Sequence, residues 1–136
     1  MVRVWNVPVE LLDRQRFLGL HNEVAILLYA GIKRSRGLSG GYVNHPETIK
    51  YSNRLGELKH LHDNIIVSEF KRRGYNHNSP LREEADGIAH EYFTCTYEEF
   101  IVDIVELTLR QAVDKVKPTK SRAASAATKM INSMLQ

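Results

Sequence analysis

Apolar residues recur at helical spacing along two long stretches in the first half of the chain. In the first stretch, Pro8–Lys33, leucine, isoleucine, valine and phenylalanine return every three or four positions, which predicts a long amphipathic helix. A glycine- and serine-rich loop follows at residues 34–46. The second helix is expected to begin at Pro46, which suits a first helical position, and to end at Gly74 after three consecutive cations.

The second half predicts one further long helix and weaker elements around it. Thr96 and Glu99 form a capping box before a third periodic stretch, which ends before Pro118. Residues 81–93 are expected to form a short helix, and residues 119–136 a fourth helix. The predicted fold class is all-α, a single compact domain of three long helices plus one or two shorter C-terminal helices. We expect a helical domain over 1–117 and a basic C-terminal helix or tail over 118–136.

Length and composition are those of one globular domain, with 136 residues, 43% hydrophobic and 26% charged. No apolar run approaches the length of a membrane span, so no membrane association is expected. The N-terminus lacks the layout of a secretory signal. The single cysteine, Cys95, cannot form an internal disulfide. An intracellular setting is therefore the expectation.

Charge is distributed unevenly along the sequence. The formal balance is +5 over residues 1–79, −7 over residues 80–114 and +5 over residues 115–136. The basic N-terminal half and the basic tail could face a polyanion such as DNA. Solvated helix faces would account for the same charges equally simply.

The familiar catalytic and metal-binding motifs are missing. There is no Walker-type loop, no GxSxG and no HExxH. His60 and His62 are two positions apart and would point to different sides of a helix, and the other four histidines are scattered. We therefore expect no metal site and no cofactor, although folding could gather some of the histidines.

Two groups near the start carry candidate chemistry. Removal of Met1 would leave an α-amine on Val2 with a pKa of about 7.7–8.0, so that a useful fraction is neutral and nucleophilic at physiological pH. Glu23 lies about 60° from the apolar stripe of the first helix, where partial desolvation would raise its pKa. The alternatives are an ordinary N-terminus and a boundary glutamate paired with an arginine.

Five short patches stand out along residues 1–80. They are residues 1–3 (MVR), 13–16 (DRQR), 19–23 (GLHNE), 41–48 (GYVNHPET) and 71–77 (KRRGYNH). In this order they resemble the endonuclease V-type pyrimidine-dimer DNA glycosylase family. Beyond Leu81 no resemblance is found, and the aromatic-rich basic terminus of the family's phage prototype is missing.

The resemblance implies a compact helical enzyme whose N-terminal α-amine attacks the anomeric carbon of a damaged nucleotide. The base leaves, a covalent imine forms, and β-elimination breaks the strand on the 3′ side without any cofactor. By this resemblance the amine-bearing residue is Val2, the neighbouring arginine is Arg3 and the catalytic glutamate is Glu23. The family's substrate-binding helix position falls on Gln15.

By the same resemblance, basic and polar residues of the first half are expected to contact DNA, mostly through phosphates that position without reading sequence. They are Arg3, Arg14, Gln15, Arg16, Asn22, Lys33, Arg34, Arg36, Lys71, Arg72 and Arg73. Asn22 stands where the family prototype has an arginine, and Val2 where it has a threonine.

The expected function is therefore DNA repair by a glycosylase with AP-lyase activity on pyrimidine dimers, with residues 1–117 as the glycosylase-like domain. The expected partner is lesion-containing double-stranded DNA, and the expected state is a monomer. The expected location is the cytoplasm or nucleoid, or a virus-infected host cell. A non-catalytic helical module that binds DNA or a protein, and a glycosylase for another base lesion, remain alternatives. The mechanism also requires that Met1 is lost.

Overall fold

The computed structural model describes residues 2–116 and 129–135. Within these ranges the regular structure is helical and no strand occurs, which confirms the all-α prediction. The chain divides into two compact units, Met1–Thr94 and Cys95–Gln136. The domain boundary predicted after residue 117 adjoins residues outside the described ranges and stays a prediction. None of the described helices combines the length and the apolar character needed to cross a membrane.

The first unit contains several helices of very different length. They are the 3-10 turn Val9–Leu11, α1 (Arg14–Ser35), α2 (Pro46–Lys50), α3 (Leu55–His60), a π-helical turn (Leu61–Ile66), α4 (Val67–Arg73) and the 3-10 turn Glu83–Ala85. The backbone stays helical at both ends of the π turn, so α3, the π turn and α4 form one unbroken helical stretch. The second unit contains α5 (Tyr97–Val116) and helical residues 129–134.

The first helix starts later than its apolar pattern predicts. Residues before Asp13 form a 3-10 turn and an extended step at Leu12, and Asp13 caps α1 by accepting a hydrogen bond from Arg16 N at 2.8 Å. Prediction of a helix from Pro8 was therefore wrong over its first turn and a half. Leu12 is nevertheless buried, because the turn directs its side chain inward while Leu11 stays exposed.

The second predicted helix is broken near its start. Pro46 does open α2, but the chain turns at residues 51–54, where Arg54 N bonds Tyr51 O at 2.8 Å. The Tyr51 side chain is almost fully buried at this turn. The chain therefore changes direction where the pattern predicted that the helix would continue. The predicted stop is confirmed, since Gly74 ends α4 in the left-handed conformation at φ 76°.

The short helix predicted for residues 81–93 is wrong except for the turn Glu83–Ala85. Lys59 supplies the reason, because its Nζ donates to the carbonyl oxygens of Ala85 at 2.8 Å and Ile88 at 2.7 Å. These bonds tie the segment to α3, and Ala85 O also accepts from Ile88 N at 3.1 Å in a turn that does not continue as a helix. Farther along, Glu91 N donates to Gly56 O at 3.1 Å and fastens the segment against α3.

The capping box before α5 is confirmed. Thr96 N donates to Glu99 Oε1 at 2.9 Å, and Glu99 N donates to Thr96 Oγ1 at 3.1 Å. α5 is described as far as Val116, and the predicted end at Pro118 lies outside the described residues. The predicted fourth helix is described only over residues 129–134.

The core of the first unit lies between α1 and the stretch formed by α3, the π turn and α4. From α1 the buried apolar residues are Phe17, Leu20, Val24, Leu27, Leu28, Ala30 and Ile32, and from the facing stretch Leu58, Leu61, Ile66 and Phe70. The Phe17 and Phe70 rings are in contact, with centroids 5.1 Å apart and planes tilted by 54°. This contact fixes the start of α1 against α4.

Arg73 at the end of α4 fastens the start of the chain to this core. Its Nη2 donates to the carbonyl oxygens of Val9 at 3.0 Å and Leu12 at 2.6 Å, and its guanidinium lies 4.4 Å above the Phe17 ring. Glu69, one turn earlier, is buried and pairs with Arg73 Nε at 2.6 Å. We refer to Arg73, Glu69 and the two carbonyls as the Arg73 clamp.

The clamp predicts an acid-sensitive contribution to stability. Hydrogen bonds from Arg72 and Arg73 lower the pKa of Glu69 from 4.5 to about 2. A lowered folded-state pKa means that the stabilisation is complete above pH 4.5 and is lost as pH falls toward 2. We expect Glu69→Gln to destabilise the protein by about 3 kcal/mol at neutral pH, because a buried pair loses one partner.

The measurement is urea unfolding of both proteins from neutral to acidic pH. The difference in unfolding free energy between wild type and Glu69→Gln should shrink below pH 4.5. Glu84→Gln is the matched control, since Glu84 is 45% exposed and 3.9 Å from Arg82, and it should change stability by less than about 0.5 kcal/mol. A difference between wild type and Glu69→Gln that is independent of pH would contradict the assignment.

Two glycines predict opposite effects of the same substitution. A Cβ on Gly56 would overlap the backbone oxygen of Ala89, so Gly56→Ala should destabilise by about 1–3 kcal/mol. Gly19, inside α1, has nothing near an added Cβ, so Gly19→Ala should stabilise by about 0.5–1 kcal/mol. Thermal unfolding of both variants tests the pair, and a stable Gly56→Ala protein would show that residues 89–91 do not pack on α3.

Candidate active site at the N-terminus

The first residues of the chain are packed into the protein, although they form no regular helix. Val2, Val4 and Trp5 are 8%, 3% and 7% exposed, and the Arg3 guanidinium lies 3.9 Å above the Trp5 ring. Chain termini are usually poorly ordered unless something ties them down. Here several apolar side chains are buried, so the backbone at residue 2 has a defined position.

Glu23 and the terminus are brought together by one hydrogen bond. Arg3 N donates to Glu23 Oε2 at 3.2 Å, across twenty positions of sequence. Adjacent backbone nitrogens lie closer together than the 3.8 Å between consecutive Cα atoms, so the Val2 nitrogen is within about 7 Å of this carboxylate. The structure therefore brings the two predicted groups, Val2 and Glu23, to within about 7 Å of each other.

Glu23 sits in a partly desolvated position. Burial raises the pKa of Glu23 above its ordinary value, the Arg3 N–H bond works in the opposite direction, and the carboxylate of Glu47 raises the pKa further. Glu47 is at the start of α2 and was not predicted as part of the site. A carboxylate held by a backbone amide in this way can accept, hold or release a proton, and can stabilise a nearby cation.

The other predicted residues of α1 fall in three directions around the helix axis. At about 100° per residue, Arg16 and Arg34 lie within about 20° of the direction of Glu23. Gln15, Asn22 and Lys33 lie about 80–100° to one side of it. Arg14 lies on the opposite side, with its guanidinium 5.7 Å from the Tyr75 ring. Helix geometry thus puts Arg16 and Arg34 on the side of Glu23, puts Gln15, Asn22 and Lys33 on the adjacent side, and separates Arg14 from both groups.

Two of these arginines also hold local structure. Arg16 pairs with Asp13 at 2.7 Å at the start of α1. Arg34 donates to Val43 O at 3.2 Å and Asn44 Oδ1 at 3.1 Å, which fastens the loop between α1 and α2. In that loop Tyr42 has a left-handed backbone at φ 65° and is 47% exposed, so an aromatic ring is held out into solvent.

The remaining predicted DNA contacts lie at helix ends. Arg36 follows α1 and is exposed, as is Lys71 near the end of α4. Arg72 is exposed and pairs with Glu69, whereas the Arg73 side chain is 12% exposed and belongs to the clamp. The fold itself therefore uses the charge of Arg73.

Sequence separation concealed a cluster of three histidines. His21 of α1, His62 of the π turn and His77 of the loop after α4 each offer a ring nitrogen within 4.8 Å of the others. Burial is the largest cause lowering the pKa of both His21 and His77. His60, although close to His62 in sequence, is not part of this cluster. No motif or spacing in the sequence links His21, His62 and His77.

Comparison with known proteins gives the family. A family model described as pyrimidine dimer DNA glycosylase matches residues 2–83, more than half of the chain. The chain belongs to the pyrimidine dimer DNA glycosylase family, a family of DNA repair enzymes whose substrate is DNA. No curated protein and no solved structure gives a match.

Proposed function

We propose that this protein removes pyrimidine dimers from double-stranded DNA and then cleaves the strand as an AP lyase, with the α-amine of Val2 as nucleophile. Met1 must be removed for this amine to exist, and no metal or other cofactor takes part in the reaction. The proposal depends chiefly on one observation, the hydrogen bond between Arg3 N and Glu23 Oε2. It is supported by the family match over residues 2–83.

The proposed chemistry begins with the neutral form of the Val2 amine. Its nitrogen bonds to C1′ of the damaged nucleotide while the bond from C1′ to the base breaks, and the base leaves with that electron pair and takes up a proton. The nitrogen then loses a proton, and its lone pair forms the iminium at C1′ as the bond between C1′ and O4′ breaks. O4′ keeps the electron pair of that bond and takes up a proton, which opens the sugar ring. Glu23, adjacent to the amine, would stabilise this cation through its negative charge.

Strand cleavage follows from the iminium. Loss of a proton from C2′ lets the bond between C3′ and O3′ break, and the phosphate leaves with the electron pair of that bond. Water then hydrolyses the imine and regenerates the free amine. Glu23 is placed to accept and return the protons that these steps move.

The DNA would lie along the side of α1 that carries Glu23. Arg16 and Arg34 supply positive charge there and Lys33 supplies it on the adjacent side, and such contacts position the backbone without reading base sequence. The lesion must leave the stack, or its partner base must, before the amine can reach C1′. The solvent-facing ring of Tyr42 is available to stack on a displaced base.

The nucleophile is tested by trapping the imine. Borohydride reduction of a mixture of the mature protein and DNA with an abasic site or a thymine dimer should give a covalent complex, mapped by mass spectrometry to Val2. The same protein with its α-amine acetylated is the control and should give none. An adduct on a lysine would refute the assignment of Val2, and the absence of any adduct would favour a module that only binds DNA.

The carboxylate is tested by Glu23→Gln. The amide keeps an oxygen that accepts the Arg3 N–H, so the fold and the DNA affinity should stay within a few-fold of wild type. Single-turnover strand cleavage should fall by about 100-fold or more, because charge and proton transfer are lost together. Glu10→Gln, at an exposed carboxylate outside the site, should cleave normally. Normal cleavage by Glu23→Gln would disprove the role of Glu23.

A further inference from the structure

Three imidazoles converge at a point that the proposed glycosylase chemistry does not use. His21 Nε2 and His77 Nε2 are 3.1 Å apart, and the His62 ring lies 5.2 Å from each of the other two rings, centroid to centroid. The three residues come from α1, the π turn and the loop after α4, all within the first unit. We call them the histidine cluster.

His62 carries a buried nitrogen without a partner. The residue is 1% exposed, and among the described residues its Nε2 neither donates nor accepts a hydrogen bond. A buried polar atom left unsatisfied is costly, by about 1–3 kcal/mol. The contact between His21 and His77 satisfies one nitrogen of each ring, so it leaves the third member of the cluster unsatisfied.

The other nitrogen of His62 is held in a way that prepares Nε2 to bind a cation. His62 Nδ1 is 2.7 Å from Asp63 Oδ1, and the second oxygen of Asp63 is 2.8 Å from His90 Nε2. A carboxylate beside Nδ1 fixes the proton there and leaves the lone pair on Nε2. Metal-bound histidines commonly have such a carboxylate behind them, which orients the ring and increases its basicity.

We propose that His21, His62 and His77 bind one divalent transition-metal ion, with Zn²⁺ as the best match, and that Asp63 orients His62. Three imidazoles suit Zn²⁺, Cu²⁺, Ni²⁺ or Co²⁺ and not the oxygen-seeking Mg²⁺ or Ca²⁺. Nitrogens bound to tetrahedral zinc at 2.0–2.1 Å lie about 3.3 Å apart. His21 Nε2 and His77 Nε2, which are 3.1 Å apart, are already near this spacing. The three ring nitrogens all lie within 4.8 Å of one another, so small side-chain rotations would bring the His62 nitrogen to the same spacing.

The site has a route to solvent and a mechanical role. His21 lines a surface cavity of about 510 Å³ that also borders Tyr29, Ser79 and Arg82, which provides an entry path. A bound ion would join α1, the π turn and the loop after α4. Glu23 lies two positions from His21, and therefore on a different side of α1, so the metal stabilises the scaffold and stays out of the amine chemistry.

The test is a titration of the full-length, chelator-treated protein with Co²⁺, followed by displacement with Zn²⁺. Tetrahedral Co²⁺ has visible absorption, which should saturate at one ion per chain and disappear on adding Zn²⁺. His77→Gln should abolish this absorption, and Asp63→Asn should weaken binding by about 10–100-fold. His60→Gln is the matched control on the neighbouring turn, outside the cluster, and should bind like wild type.

Thermal unfolding gives a second readout. Zn²⁺ should raise the Tm of wild type and His60→Gln but not that of His77→Gln, because only a folded site binds the ion. If His77→Gln does not fold, His21→Gln replaces it in both experiments. Wild-type protein without tetrahedral Co²⁺ absorption, or His77→Gln with unchanged affinity, would overturn the proposal and leave a cluster of histidines that binds no metal.

Discussion

The guanidinium of Arg73 joins the first dozen residues of the chain to the end of α4. It donates to two carbonyl oxygens, at Val9 and Leu12, which lie where the backbone is not α-helical. Glu69 neutralises its charge, and the Phe17 ring covers its face. Arg73 thereby fixes the backbone at residues 9–12, shortly after the mostly buried residues 2–7. The position of Val2 beside Glu23 therefore depends on a contact made at the far side of the same segment.

Glu23 differs from the other partly buried glutamates in the kind of partner that it has. Glu57 and Glu69 accept hydrogen bonds from guanidinium groups, and both have their pKa lowered to about 2. Glu23 accepts from a backbone amide, so burial is the largest influence and its pKa is raised. The backbone amide orients the carboxylate, and the charge of Arg3 lowers its pKa by less than burial raises it.

Local signals in the sequence predicted local structure well. The stop at Gly74 and the capping box of Thr96 and Glu99 depend on residues within one turn, and both are confirmed. The break at residues 51–54 depends on burial of Tyr51, and the irregular course of residues 81–93 depends on Lys59. These contacts join distant parts of the chain, so hydrophobic periodicity could not show them. Val2 and Glu23 were weak candidates until the family resemblance linked them, and the histidine cluster had no signal at all.

The π turn at Leu61–Ile66 constrains how the length of this chain can change. A π turn fits about one residue more into a turn than an α-helix does, so it absorbs an extra residue locally and the helices on either side keep their relative rotation. Helix α4 has no such wide turn, so a single-residue insertion or deletion within it would rotate Arg73 by about 100° relative to His62. Relatives that keep both the histidine cluster and the Arg73 clamp are therefore expected to share the same spacing between them.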